Sequence, residues 1–167
     1  MHYIIAETPR LIIREFLLRE EEIYLNHFND EEVCQFIPKR TREERVNIFL
    51  SALVNYISNK QMGIWGMFDR ATGDFVGSCL LRFFNNESDK IELGYSLEKK
   101  YWGKGLATEM AIAMVAYAFE HNQAAEVVAV TDIANIGSQR VLEKAGLIRV
   151  ENIIRDGEEL AYFKKIG

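Results

Sequence analysis

Residues 91–120, IELGYSLEKKYWGKGLATEMAIAMVAYAFE, limit the folds open to this chain more than any other stretch. Ile91, Leu93, Tyr95 and Leu97 alternate with Glu92, Gly94 and Ser96, the period of a strand with two different faces. A short basic loop with two glycines follows. Leu106, Met110, Ala113/Met114 and Tyr117 then recur at helical spacing. A strand that runs through a glycine loop into a helix can turn backbone N–H groups and the positive helix end toward an anion. A phosphate-bearing cofactor is the first expectation.

The loop reads Lys100-Tyr101-Trp102-Gly103-Lys104-Gly105-Leu106-Ala107. Gly103 and Gly105 remove side chains where the chain must pass closely around a ligand. Lys99, Lys100 and Lys104 add positive charge, and Ala107 is small enough for close packing. A P-loop, G-x-x-x-x-G-K-[ST], is absent. A dinucleotide fingerprint would need glycine three places after Gly105, where Thr108 stands. A plain strand-to-helix turn with solvated lysines remains the competing reading of the loop alone.

The rest of the chain supplies a mixed α/β frame. Residues 10–16 read as a first strand, and residues 19–28 and 30–37 as short helices with acidic starts. Thr41 and Glu44 form a capping-box pair ahead of an amphipathic helix over 42–59, with Val46, Phe49, Leu50, Leu53 and Ile57 in its apolar pattern. Residues 63–69 and 75–84 form a hairpin around Arg70–Asp74. Residues 125–131 are a short apolar strand. Asn135 caps a helix that ends before Gly146, and strands over 147–154 and 159–166 flank Asp156-Gly157. The order is seven strands and five helices, with antiparallel hairpins first and a βαβ crossover later.

With 167 residues, one domain over 1–167 is expected, large enough to bury a core without staples. A net charge of −5 argues against nucleic acid as a main partner. Cys34 and Cys79 lack CxxC spacing and are expected as free thiols, although one disulfide is arithmetically open. His2, His27 and His121 are scattered, so no metal site is expected. Neither a signal peptide nor a membrane-length apolar run is seen, which points to the cytoplasm.

Lys100-x-x-Gly103-x-Gly105-x-Ala107 resembles the acyl-CoA pyrophosphate loop of the GNAT superfamily of N-acyltransferases, with Lys in place of the usual Gln or Arg. Thr8-Pro9-Arg10-Leu11-Ile12-Ile13-Arg14, Glu92-Leu93-Gly94-Tyr95 and the stretch from Asn135 through Ser138 to Gly146 are similar to the RimJ/RimL-like branch in the same order. The resemblance implies a mixed, mostly antiparallel sheet of about seven strands, splayed between the fourth and fifth and flanked by four to five helices. It implies that Leu93, Gly94, Tyr95, Ser96 and Leu97 lend backbone groups to pantetheine. Lys100, Tyr101, Trp102, Gly103, Lys104, Gly105, Leu106 and Ala107 would hold the pyrophosphate, with Asn135 beside the pantetheine arm.

By the same resemblance Glu92 is the expected general base and Ser138 the expected acid or thiolate stabiliser. The tyrosine acid of many superfamily members would align at Leu142, where it is missing, leaving Ser138 or water as proton source. Competing roles stand beside each: an ion-paired strand carboxylate for Glu92, helix-start hydrogen bonding for Asn135 and Ser138, core packing for Tyr95, Trp65 and Phe84. The clusters Glu20-Glu21-Glu22 and Asp30-Glu31-Glu32, near the expected acceptor lid, read as solvated helix faces.

The implied reaction is direct acetyl transfer from acetyl-CoA to a primary amine. The acceptor is a protein N-terminus, or alternatively a polyamine, amino acid or aminoglycoside. A non-catalytic acyl-CoA sensor is the alternative from another class. The resemblance is also compatible with a homodimer.

Overall fold

The computed structural model describes residues 2–167. Among them run, in chain order, β1 (Ile4–Glu7), β2 (Leu11–Arg14), α1 (Glu21–His27), α2 (Arg42–Ser58), β3 (Gly63–Asp69), β4 (Phe75–Phe84), β5 (Glu87–Leu97), α3 (Leu106–Asn122), β6 (Glu126–Asp132), α4 (Ile136–Lys144), β7 (Ile148–Arg155) and β8 (Glu158–Ile166). Short 3-10 turns at Leu18–Glu20 and Lys99–Tyr101 precede α1 and follow β5.

All eight strands join one sheet in the order β1-β2-β3-β4-β5-β6-β8-β7. Every neighbouring pair is antiparallel except β5 and β6. A parallel pair needs a long crossover, and α3 supplies it. The sheet thus has one strand more than the sequence suggests. The addition is β1, whose turn into β2 is closed by Thr8: its N–H donates to the Leu11 carbonyl, and its hydroxyl accepts from the Leu11 N–H.

Two other expectations change. Residues 30–37 form successive turns rather than a helix, held by the Asp30 carboxylate accepting from the Glu32 and Val33 N–H groups. Pro38 follows directly, and a proline disfavours the helical conformation of the residue before it, so the segment does not run on as a helix. In α2 the buried stripe is Phe49, Ala52 and Tyr56, whereas Leu50 and Ile57 face solvent. Its start follows the sequence: Thr41 and Glu44 exchange both capping-box hydrogen bonds.

Helices cover both faces of the sheet. Adjacent strand residues point oppositely. Ser96 reaches α1 through His27, while Tyr95 reaches α4 through Ser138. Trp65 and Tyr95 both align with Cys79 in the ladder, and Trp65 packs edge-on against Tyr117 of α3. So α3 and α4 share one face and α1 occupies the other, with α2 packed on α1 and β3. Trp65 and Phe84 are both buried, Trp65 within the main core and Phe84 stacked on Tyr162. Cys34 and Cys79 are both free thiols. No helix of the described residues is long and apolar enough to cross a membrane.

Candidate active site

The site begins where the sheet comes apart. β5 and β6 pair only at Lys90/Glu126, Ile91/Val127 and Glu92/Val128. Beyond Glu92, β5 continues to Leu97 and β6 to Asp132 without meeting. On its other side β5 stays paired with β4 as far as Gly77/Leu97, so the open strand is held straight. Leu93–Leu97 therefore present a backbone edge that has no β6 neighbour. An extended, amide-bearing chain can complete such an edge as a strand would.

β5 leads directly into the glycine loop. The Trp102 indole N–H donates to the Leu97 carbonyl at 2.9 Å, pinning the turn to the strand end. Gly103 (φ +72°) and Gly105 (φ +79°) both adopt the left-handed conformation that disfavours a side chain. A Cβ on Gly103 would meet nothing, so that position is open to a ligand. Gly105 is the N-cap of α3, and no side chain caps that end. The first N–H groups of a 17-residue helix are therefore turned outward with the positive end of its dipole.

Arg10 braces the loop from β2's entry. It donates to the Lys104 carbonyl at 2.8 Å and to the Glu109 carboxylate at 2.9 Å. A depression beneath the loop is lined by Arg10, Arg70, Tyr101, Lys104 and Leu106 among others. Lys100 and Lys104 lie near the Tyr101 ring, whereas Lys99 is drawn away into an ion pair with Glu32.

Asn135 and Ser138 stand across the opening. Asn135 caps α4 by accepting from the Ser138 N–H at 3.2 Å. The Ser138 hydroxyl is 2.9 Å from the Tyr95 hydroxyl, so the pair links β5 to α4 over the gap. Burial pushes the Tyr95 phenol up to about 12 against the opposing effect of its Ser138 hydrogen bond. The phenol therefore keeps its proton at neutral pH. Leu142, where a tyrosine acid would align, is fully buried.

Glu92 lies at the last paired position, on the face opposite Tyr95. Both its oxygens are held: Arg155 donates at 3.0 Å to each, and Arg82 donates at 3.2 and 3.3 Å. Burial pushes this carboxyl up, but the hydrogen bonds and charges of Arg155 and Arg82 outweigh it and hold the group below its usual range. That environment favours the carboxylate and weakens its affinity for a proton. Among the described residues no cluster of His, Cys, Asp and Glu is arranged to hold a metal.

A family model described as an acetyltransferase (GNAT) domain matches residues 10–148, a span that includes the splay, the glycine loop and α4. The chain belongs to the GNAT acetyltransferase family. It is an acetyl-CoA-dependent N-acetyltransferase of that family. This GNAT acetyltransferase is 30% identical over 145 residues to the YkkB protein of Bacillus subtilis (strain 168), covering 83% of this chain and 81% of that one. Its fold is similar to a GNAT-family acetyltransferase structure from Bacillus anthracis, with a TM-score of 0.81 and 24% identity over 99% of this chain and 98% of the other. It is similar again to the ribosomal-protein-S5-alanine acetyltransferase of Vibrio fischeri, with a TM-score of 0.81 and 17% identity over 96% and 95% of the two chains.

Several partners in this GNAT site carry no local sequence signal. Arg155 lies 63 residues from Glu92, and nothing near either residue announces the pairing. The Tyr95–Ser138 link and the Arg10 brace are equally nonlocal. Arg82 had a weak signal: hairpin register places it directly opposite Glu92.

Proposed function

We propose that this acetyltransferase passes acetyl directly from acetyl-CoA to a primary amine, with a protein N-terminal α-amine as acceptor. The observation that carries the donor side is the continuity of the unpaired edge Leu93–Leu97 with an uncapped helix N-terminus at Gly105. In this reading pantetheine completes the edge of β5, and its pyrophosphate takes the N–H groups of residues 103–107. Lys100 and Lys104 add charge, and Asn135 meets the pantetheine arm. A backbone N–H between Leu93 and Tyr95 stabilises the oxyanion of the thioester carbonyl.

Ser138 supplies the proton to the departing thiolate, with the Tyr95 hydroxyl beside it to replace that proton. Glu92 enters as the anion that fixes Arg82 and Arg155 at the mouth of the splay. As a free general base it would first have to leave both guanidiniums.

The preference for an α-amine rests on acid–base arithmetic and on the Vibrio fischeri neighbour, whose name gives a ribosomal-protein alanine as its substrate. An α-amine has a pKa of about 8 and lysine about 10.4, so roughly a tenth of an α-amine is already neutral at pH 7. Such an acceptor demands less of a base. The reading places the protein in the cytoplasm, where acetyl-CoA and ribosomal acceptors meet.

Thiol release from acetyl-CoA, measured across N-terminal peptides, lysine-only peptides, polyamines and aminoglycosides, tests this assignment. Peptides with free N-termini should turn over at least about tenfold faster than their N-blocked forms. Turnover of polyamines or aminoglycosides alone would replace the acceptor. Binding of acetyl-CoA with no turnover of any amine would convert the protein into a sensor.

A further inference from the structure

His27 is the last residue of α1 and is buried, yet both ring nitrogens are engaged. Nδ1 lies 2.7 Å from the Glu98 carboxylate and Nε2 lies 2.8 Å from the Ser96 hydroxyl. The Phe28 and Phe75 rings pack edge-on against the imidazole at 4.8 and 5.5 Å and exclude water from it. A carboxylate can only accept, so Nδ1 carries the proton and Nε2 of the neutral ring accepts from Ser96. That leaves the Ser96 oxygen with its lone pairs free to accept a further hydrogen bond.

The position of this chain of groups gives it a use. Ser96 lies in the open part of β5, on the same face as Glu92 and four residues beyond it. Gly94, between them, adds no side chain to that face. The acceptor amine must lose a proton near this strand, and Glu92, the carboxylate on the same strand face, is tied to two arginines. We propose that Ser96, His27 and Glu98 form the proton relay of the transfer, with Ser96 touching the amine and His27 and Glu98 acting behind it.

In the step, an amine N–H bond breaks and its proton joins the Ser96 oxygen. The original Ser96 proton passes to His27 Nε2 as nitrogen attacks the thioester carbon. The resulting imidazolium is held by Glu98, whose side chain is 31% exposed and opens the far end to water. The thiolate leaving the tetrahedral intermediate takes a separate proton from the Ser138 side. One proton thus leaves nitrogen for the relay and another reaches sulfur.

The charged groups facing His27 are Glu98, Asp30 and Arg45. Burial lowers the His27 pKa, and Arg45 adds to this; together they outweigh the raising effects of Glu98 and Asp30. The base form is therefore present at neutral pH and is lost as pH falls through a value below 6.5.

The inference rests on the amine-transfer reading above, and the two fail differently. That reading fails on coenzyme binding or turnover by the wild-type protein. This one is decided by His27→Gln and Ser96→Ala, assayed with the best N-terminal peptide from pH 5 to 9. Glutamine keeps one donor and one acceptor but cannot take the proton. Both variants should bind acetyl-CoA within about twofold of wild type and lose about 100-fold in kcat. The acidic limb of the kcat profile should vanish in His27→Gln, while a limb near pH 8 from the acceptor's own titration persists. Half or more of wild-type kcat with the acidic limb intact would overturn the relay. If His27→Gln does not fold, Ser96→Ala decides alone, because that change removes one hydroxyl from a strand already paired with β4.

Discussion

Glu92 shows how an environment sets the work of a single carboxylate. Its folded pKa is depressed by Arg155 and Arg82, and that of Glu20 by Arg14 and the Leu17 backbone, in each case against the effect of burial. A depressed carboxylate contributes stability above its unfolded value, here 4.5, and the contribution disappears as pH falls through the lower folded value. Urea unfolding from pH 6 to pH 3 should therefore show stability falling below about pH 4.5. The fall should be shallower in Glu92→Gln. That variant should also lose about 2 to 3 kcal/mol at pH 7, less than a fully buried pair because Arg82 is more than half exposed. Retained stability at pH 7 would show that the arginines do not depend on the charge. Glu92 stood out in the sequence as a carboxylate in an apolar strand, but its arginines did not. The sequence places Glu20 in an acidic cluster that looks like a solvated helix face; folding instead buries it against Arg14, six residues away, through two 2.8 Å contacts.

At the scale of elements, the legible parts were those whose signals are local. The capping box of α2, the β3–β4 hairpin, the Asn135 cap and the strand–glycine–helix junction all depend on residues within a few positions of one another. β1 is not legible in the sequence because four residues carry too little periodicity; its strand character comes from pairing with β2. The acidic start of 30–37 suggested a helix, but side-chain capping of a turn by Asp30 used the same signal. The junction itself invites a direct test. Gly105→Trp places an indole at φ +79°, beside Arg10 and over the uncapped end of α3. Acetyl-CoA affinity measured calorimetrically should fall at least about tenfold, or ~1.4 kcal/mol. Unchanged affinity would move the pyrophosphate elsewhere. Thr41→Ala offers an element-scale comparison remote from the loop: it should cost about 1 kcal/mol of stability and leave that affinity alone.

For the whole molecule, the splay makes part of the sheet depend on a ligand. Five residues of β5 lack a neighbour that the coenzyme is proposed to provide. At about 100 times its Kd, acetyl-CoA should stabilise the fold by ~2.7 kcal/mol. For a chain of this size that is about 5 to 10 °C in Tm. Hydrogen exchange should slow along 93–97 and at the start of α3, with little change at β1 or β7. Uniform slowing across the sheet would argue against strand completion.

The three-pair ladder between β5 and β6 also has a mechanical meaning. Each flanking ladder, β4 to β5 and β6 to β8, runs for seven or more pairs. The seam between them is only three pairs long and is bridged chiefly by α3, which packs on both strands. Tension applied between β4 and β8 should tear the molecule along this line first, leaving two antiparallel halves. In an optical trap, bound acetyl-CoA should raise that rupture force like a stitch across a half-open seam.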